Sequence, residues 1–142
     1  MRILAIDYGD ARIGLALSDE SETLASPLST YASQSMRKDI DHIAALAKEK
    51  GAGRIVLGLP VNMDGTEGER AQKTRSFGSV LERVSGIDVV YKDERLTTVS
   101  AERALIECNM RRDKRKQIID TVSAQIILQS YLDAANRAKR QI

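Results

Sequence analysis

Four acidic residues stand where a charge is expensive. Asp7 closes the apolar run Ile3-Leu4-Ala5-Ile6, Asp93 and Glu94 follow the run from Ile87 to Tyr91, and Asp120 lies among Ile118, Ile119, Val122, Ile126 and Ile127. An ionised carboxylate set against buried surface costs free energy unless it is paired or binds a cation. A hard cation such as Mg²⁺ takes oxygen ligands, and a group of such acids supplies them. Two ions held in this way can activate a water and stabilise the leaving oxygen of a phosphodiester. Each acid also has a plainer reading. Asp7 could stabilise its own turn, Asp93 or Glu94 could pair with Arg95, and Asp120 could pair with Lys116 four residues back.

Basic and glycine-rich segments accompany these acids. Gly9 permits a close backbone approach after the first acid, and Arg12 across that turn could hold a phosphate or pair with Asp10. Gly58-Leu59-Pro60 leads into Asn62, Asp64 and Gly65, then into a helix start carrying Arg70 and Lys73. A helix N-terminus with basic side chains suits an anion. Asp93-Glu94-Arg95 followed by Thr97-Thr98 packs two acids, a guanidinium and two possible caps into six positions. Arg111, Arg112, Lys114, Arg115 and Lys116 crowd together, either along a phosphate path or as a solvated helix entrance.

The elements that must position these groups follow from periodicity. Arg2–Asp7, Arg12–Ser18 and Leu24–Tyr31 read as three strands, the third bounded and weakened by Pro27. Met36, Ile40, Ile43, Ala44 and Ala47 recur at helical spacing, predicting a helix over 36–50 that Gly51 stops. A buried strand over 54–59, a helix over 69–83 and a fifth strand over 87–91 come next. Two helices end the chain, one from Thr97 or Thr98 to about Cys108, the other capped by Asp113 and apolar around much of its girth. The expected fold is one α/β domain over 1–142. Its mixed five-stranded sheet has three antiparallel strands, then parallel αβ units, with helices on both faces.

Composition removes several chemistries. Cys108 is the only cysteine and His42 the only histidine, so a disulfide, a cysteine-rich zinc site and a multi-histidine metal site are excluded. With no Trp and one Phe, a stacking platform for single-stranded bases is not evident. A net charge of +2 is too small to argue nucleic-acid binding from the total. No apolar stretch approaches a membrane span and no signal-peptide pattern opens the chain, so a cytoplasmic location is expected.

Four segments together resemble one family. They are Asp7-Tyr8-Gly9-Asp10-Ala11-Arg12-Ile13-Gly14-Leu15-Ala16, Gly58-Leu59-Pro60-Val61-Asn62-Met63-Asp64-Gly65, Asp93-Glu94-Arg95-Leu96-Thr97-Thr98, and Ile119-Asp120-Thr121-Val122-Ser123-Ala124-Gln125-Ile126-Ile127-Leu128. In this order and spacing they resemble the YqgF/RuvX family of RNase H-fold nucleases. The resemblance implies an RNase H-like domain that trims the 5′ end of precursor 16S rRNA, resolves Holliday junctions, or both. It implies a Mg²⁺ or Mn²⁺ site, with two metals expected, built from Asp7, the Asp93-Glu94 pair and Asp120. In the wider junction-resolvase superfamily an acid ends the fourth strand. This chain has Gly58-Leu59-Pro60 there, so Glu94 would have to stand in.

Strand side chains alternate faces, so Asp93 should share the direction of Tyr91, and Glu94 that of Lys92 and Val90. Glu94, with the longer reach, is the expected ligand, and Asp93 the expected partner of Arg95. Catalysis is expected from Asp7, Glu94 and Asp120. Nucleic-acid contacts are expected from Arg12, Asn62, Arg70, Lys73, Arg95, Arg111, Arg112 and Arg115. The partner would be precursor rRNA or branched DNA, bound by a monomer or homodimer. Two other readings compete: a non-catalytic structured-RNA-binding factor in ribosome maturation, and an actin-like phosphotransferase. The second is disfavoured because 142 residues leave no room for another lobe.

Overall fold

The computed structural model describes residues 1–96 and 112–140, and the side chains of residues 1–95 and 121–140. The elements are β1 (Arg2–Tyr8), β2 (Arg12–Ser18), β3 (Ala25–Ala32), α1 (Met36–Glu49), β4 (Ala52–Leu59), α2 (Glu69–Ser85), β5 (Asp88–Asp93), a 3-10 turn (Glu94–Leu96) and α3 (Arg112–Arg140). The strands form one sheet in the order β3-β2-β1-β4-β5. β1 pairs antiparallel with β2 and β2 with β3, whereas β1–β4 and β4–β5 are parallel. This is the mixed α/β sheet expected from the sequence.

The period of two in β1 divides the core. Leu4 and Ile6 join Ile13, Leu15, Ile55 and Leu57 beneath α1 and α2, whose Ile40, Ile43, Phe77 and Leu81 complete that cluster. Ile3 and Ala5 face the other way, with Ala16, Val56 and the α3 residues Ala124, Ile127, Leu128 and Leu132. Each face is thus covered by helix, which is what the uninterrupted apolar runs of β1 and β4 require.

Local signals explain the boundaries. Ser35 caps α1, its hydroxyl accepting from the Lys38 amide at 3.3 Å. Gly86, at φ 71°, ends α2 and donates to Glu82 O at 2.9 Å. Pro27 is accommodated inside β3, an edge strand whose register against β2 shifts between Leu15↔Ser29 and Ala16↔Pro27.

The structure departs from the sequence reading most plainly at two element ends. β5 does not stop at Tyr91, because its ladder with β4 continues through Gly58↔Lys92 to Leu59↔Asp93. Asp113 does not cap the last helix, since α3 already includes Arg112. His42 is exposed, as expected, yet it stacks on Tyr31 with ring centroids 4.0 Å apart. The helix expected over 97–108, with Cys108, lies outside the described residues.

Candidate active site

Asp7 is 8% exposed, and the alternation that puts Ile3 and Ala5 on the α3 face of the sheet puts Asp7 there too. On one side it pairs with Gly14 of β2, which in turn pairs with Thr30 of β3. On the other side the parallel register runs through Ile6↔Leu57, and one further residue sets Asp7 beside Gly58. Asp7 is therefore flanked by two residues without side chains. From above, Thr121 of α3 meets Thr30, hydroxyl to hydroxyl at 2.6 Å. That contact brings the neighbouring position, Asp120, to the end of the sheet where Asp7 sits. The Asp120 side chain lies outside the described residues.

Gly58 is where the fourth strand receives Glu94. A Cβ built on Gly58 would lie 2.7 Å from Glu94 Oε1 and 2.7 Å from Ile127 Cδ1, so the half-buried Glu94 carboxylate occupies the space a side chain would take. Ile127 belongs to the α3-facing cluster, so Glu94 lies on the same face as Asp7. A glycine is required at this close approach.

Asp93 points away from that face, with Tyr91, and is engaged by its neighbour. Arg95 Nε and Nη2 donate to Asp93 Oδ2 at 3.0 and 2.8 Å, and the Arg95 amide donates to Oδ1 at 2.9 Å. The Arg95 hydrogen bonds hold the Asp93 carboxyl below its ordinary pKa, and Asp93 in return holds the guanidinium protonated. The third arm, Nη1, donates to Met63 O at 3.2 Å in the loop after β4.

The other residues expected at the site are dispersed around its rim. Asn62 braces its own loop, donating from Nδ2 to Thr66 Oγ1 at 3.0 Å. Arg70 is exposed in the first turn of α2 and, with Pro60, Asn62, Gly68, Glu94 and Arg95, lines an open cleft of about 390 Å³. Lys73 reaches Asp10 at 3.5 Å, so the salt bridge considered between Asp10 and Arg12 goes instead to α2. Arg12 is half-buried at the start of β2, on the hairpin where Gly9 donates to Arg12 O at 3.0 Å. Arg112 and Arg115 are placed by their backbone at the N-terminal end of α3; their side chains, and all of Arg111, lie outside the described residues.

The donor chemistry suits a hard divalent cation. Asp7 and Glu94 are carboxylates on one face beside Gly58, and oxygen donors of that kind match Mg²⁺ or Mn²⁺. Among the described residues no third acid, histidine or cysteine gathers with them. Sequence reading noted Gly58 only as a missing acid. Its positive role, making room for a carboxylate from the next strand, appears once both strands are paired.

Residues 1–134 match the family model described as "RuvX: Holliday junction resolvase". A protein of Agathobacter rectalis named "Putative pre-16S rRNA nuclease" is 42% identical over 142 residues, spanning 98% of this chain and 99% of that protein. One of the same name from Endomicrobium trichonymphae is 49% identical over 133 residues, spanning 93% and 95%. Among solved structures, T. thermophilus RuvC in complex with Holliday junction substrate is similar with TM-score 0.57 and 11% identity, over 89% of this chain and 91% of that one. Fowlpox virus resolvase with Holliday junction DNA gives TM-score 0.56 and 12% identity, over 95% and 99%. At such low identity these likenesses establish the fold, that of the RNase H-like resolvases.

Proposed function

The chain belongs to the RuvX family of Holliday junction resolvases, and from that premise we propose that it is a metal-dependent endonuclease acting on structured nucleic acid. The substrate we favour is the 5′ region of precursor 16S rRNA, as the names of its curated relatives suggest, with the four-way DNA junction as the other candidate. The observation that carries the reading is the seating of Glu94 on Gly58, beside Asp7 on one face of the sheet.

Asp7, Glu94 and Asp120 would hold Mg²⁺ or Mn²⁺. Bound there, such a cation would polarise the scissile phosphate and lower the pKa of a water. The chain's own part is placement. β1 is the central strand and fixes Asp7 rigidly; the buried packing of Ile127 and Gly58 limits where Glu94 can go. Exposed Arg70 and Lys73 would draw the phosphate backbone along the C-terminal edge of the parallel strands, where phosphate contacts orient without reading sequence. Arg112 and Arg115, in the first turns of α3, would continue that path, with Arg111 preceding them in the sequence. Asp93 is assigned to Arg95 and not to the metal. The protein would work in the cytoplasm as a single domain; among the described residues no helix is long and apolar enough to cross a membrane.

The test is incubation of the purified chain with a labelled precursor 16S rRNA fragment and, separately, a four-way DNA junction. Each is run with Mg²⁺, with Mn²⁺ and with chelator. Cleavage of either that chelator abolishes supports the proposal, and the faster substrate identifies the physiological class. Tight binding of the rRNA fragment with no cleavage under any metal would leave an RNA-binding factor instead.

A further inference from the structure

Arg95 ties together two parts of the molecule that flank the open cleft. One is the loop of residues 61–66, which is closed on itself. Asn62 N donates to Thr66 O and Gly65 N to Asn62 O, both at 2.9 Å, and Asp64 Oδ1 accepts from the Thr66 amide and hydroxyl at 3.0 and 2.6 Å. Such a loop moves as a body. Its Met63 side chain is 90% exposed beside the cleft that Asn62, Arg70 and Glu94 line. The other part is the 3-10 turn that starts at Glu94. Arg95 grips Asp93 through Nε, Nη2 and its own amide, and grips the loop through Nη1 on Met63 O. Glu94 lies between the two residues of that clasp.

We propose that Arg95 is a positioning residue, coupling the seating of a nucleic-acid strand on the 61–66 loop to the placement of the Glu94 carboxylate over Gly58. This rests on the assignment of Glu94 to the active site. A strand that presses on the loop pushes on Met63 O, and the planar guanidinium transmits that displacement to the turn carrying Glu94. Strands that reach the cleft without engaging the loop leave Glu94 less well placed, so the clasp makes cutting selective. With Nε, Nη1 and Nη2 all engaged by Asp93 and Met63, the Arg95 guanidinium contributes little as a phosphate contact. This proposed role differs from the nucleic-acid contact expected for Arg95 from the sequence.

Arg95→Lys keeps the charge but loses the planar fork that lets one side chain hold both partners. Single-turnover cleavage should fall roughly 10- to 100-fold, the cost of an ångström-scale misplacement. Substrate binding, measured with Ca²⁺ replacing Mg²⁺, and the thermal melt should stay at wild-type values. Met63→Ala, which leaves the carbonyl intact, should slow cleavage in the wild type and have no further effect in Arg95→Lys, because coupled residues are non-additive.

Asp93→Asn releases the other arm of the clasp and should give the same loss of cleavage with binding retained, which keeps the test usable if Arg95→Lys folds poorly. Binding that falls in step with cleavage would make Arg95 a phosphate contact. Additive effects of the Met63 and Arg95 substitutions, or wild-type cleavage by Arg95→Lys, would equally overturn the coupling. Glu94→Gln is run alongside. If it cuts normally, the fault lies with the active-site assignment; if it is inactive while Arg95→Lys cuts normally, only the coupling fails.

Discussion

Gly58→Ala puts a methyl group where two residues already are. The new Cβ would sit 2.7 Å from both Glu94 Oε1 and Ile127 Cδ1, against 3.4 Å for an ordinary contact, so each neighbour must move by about 0.7 Å. The two displacements have different consequences. Ile127 is fully buried between α3 and the sheet, and overpacking a core of that kind costs about 1–3 kcal/mol. Removing a glycine from a strand returns about 0.5–1 kcal/mol, leaving a net loss between roughly 0 and 2.5 kcal/mol. In a chain of this size each kcal/mol lowers the melt by roughly 2–4 °C. Glu94 is the flexible end of a side chain and swings aside at little cost in stability. The activity bears that cost: a shift approaching 1 Å in a reacting group lowers the rate on the order of 10- to 100-fold. Gly58→Ala paired with Ile127→Val, which removes the clashing Cδ1, separates the two. The double variant should melt no lower than Gly58→Ala alone and should remain slow. Single-turnover cleavage and thermal melts on wild type, single and double variants decide it. Wild-type cleavage by Gly58→Ala, or activity that returns together with stability in the double variant, would show that the seat of Glu94 on Gly58 does not set the rate.

Other outcomes follow from the same geometry. Asp7→Asn should lower cleavage at least ~100-fold, as loss of metal ligation does, with an unchanged melt in the absence of metal; full activity would remove Asp7 from the site. Glu94→Gln should abolish cleavage with folding and binding intact, whereas Asp93→Asn should melt lower and still cut, if slowly; reversed results would reverse the assignment. Asp93 titrates below its ordinary 3.8 when folded because of Arg95. Its contribution to stability is therefore complete above the unfolded pKa and is lost as pH falls through the folded one. Wild-type and Asp93→Asn melts should accordingly differ at neutral pH and converge as pH drops below 3.8; a constant gap would show the clasp is not ionic. Neutralising Arg111, Arg112 and Arg115 together should weaken binding and flatten its salt dependence by about one unit of slope per lost phosphate contact; an unchanged slope, measured by titration at several salt concentrations, would make that cluster a solvated face.

Much of this was legible in the sequence because it depends on local pattern. The apolar runs of β1 and β4 carry the central strands, and the helical spacing of Ile40, Ile43 and Ala47 carries α1. Period-two alternation was enough to separate the directions of Asp93 and Glu94, since β5 stays extended as far as Asp93. What escaped depends on partners distant in sequence. Lys92 and Asp93 fall past the apolar run that marks the strand, and only pairing with β4 makes them part of it. Asp10 has Arg12 near it in sequence, yet α2 brings Lys73 to it. The grip of Arg95 on Met63 O spans 32 residues and has no sequence signature, because its acceptor is a backbone carbonyl. Gly58 could be recognised as a cradle only from the pairing of two strands and the packing of Ile127 above them.

The proposed sharing of a divalent cation by Asp7, Glu94 and Asp120 is tested by direct metal binding, without reference to any substrate. Mn²⁺ is titrated by calorimetry into the wild type, Asp7→Asn and Glu94→Gln at one pH and ionic strength. Binding to the wild type should be saturable and should be weakened at least ~10-fold by either substitution. Equal Mn²⁺ binding by all three proteins would contradict it.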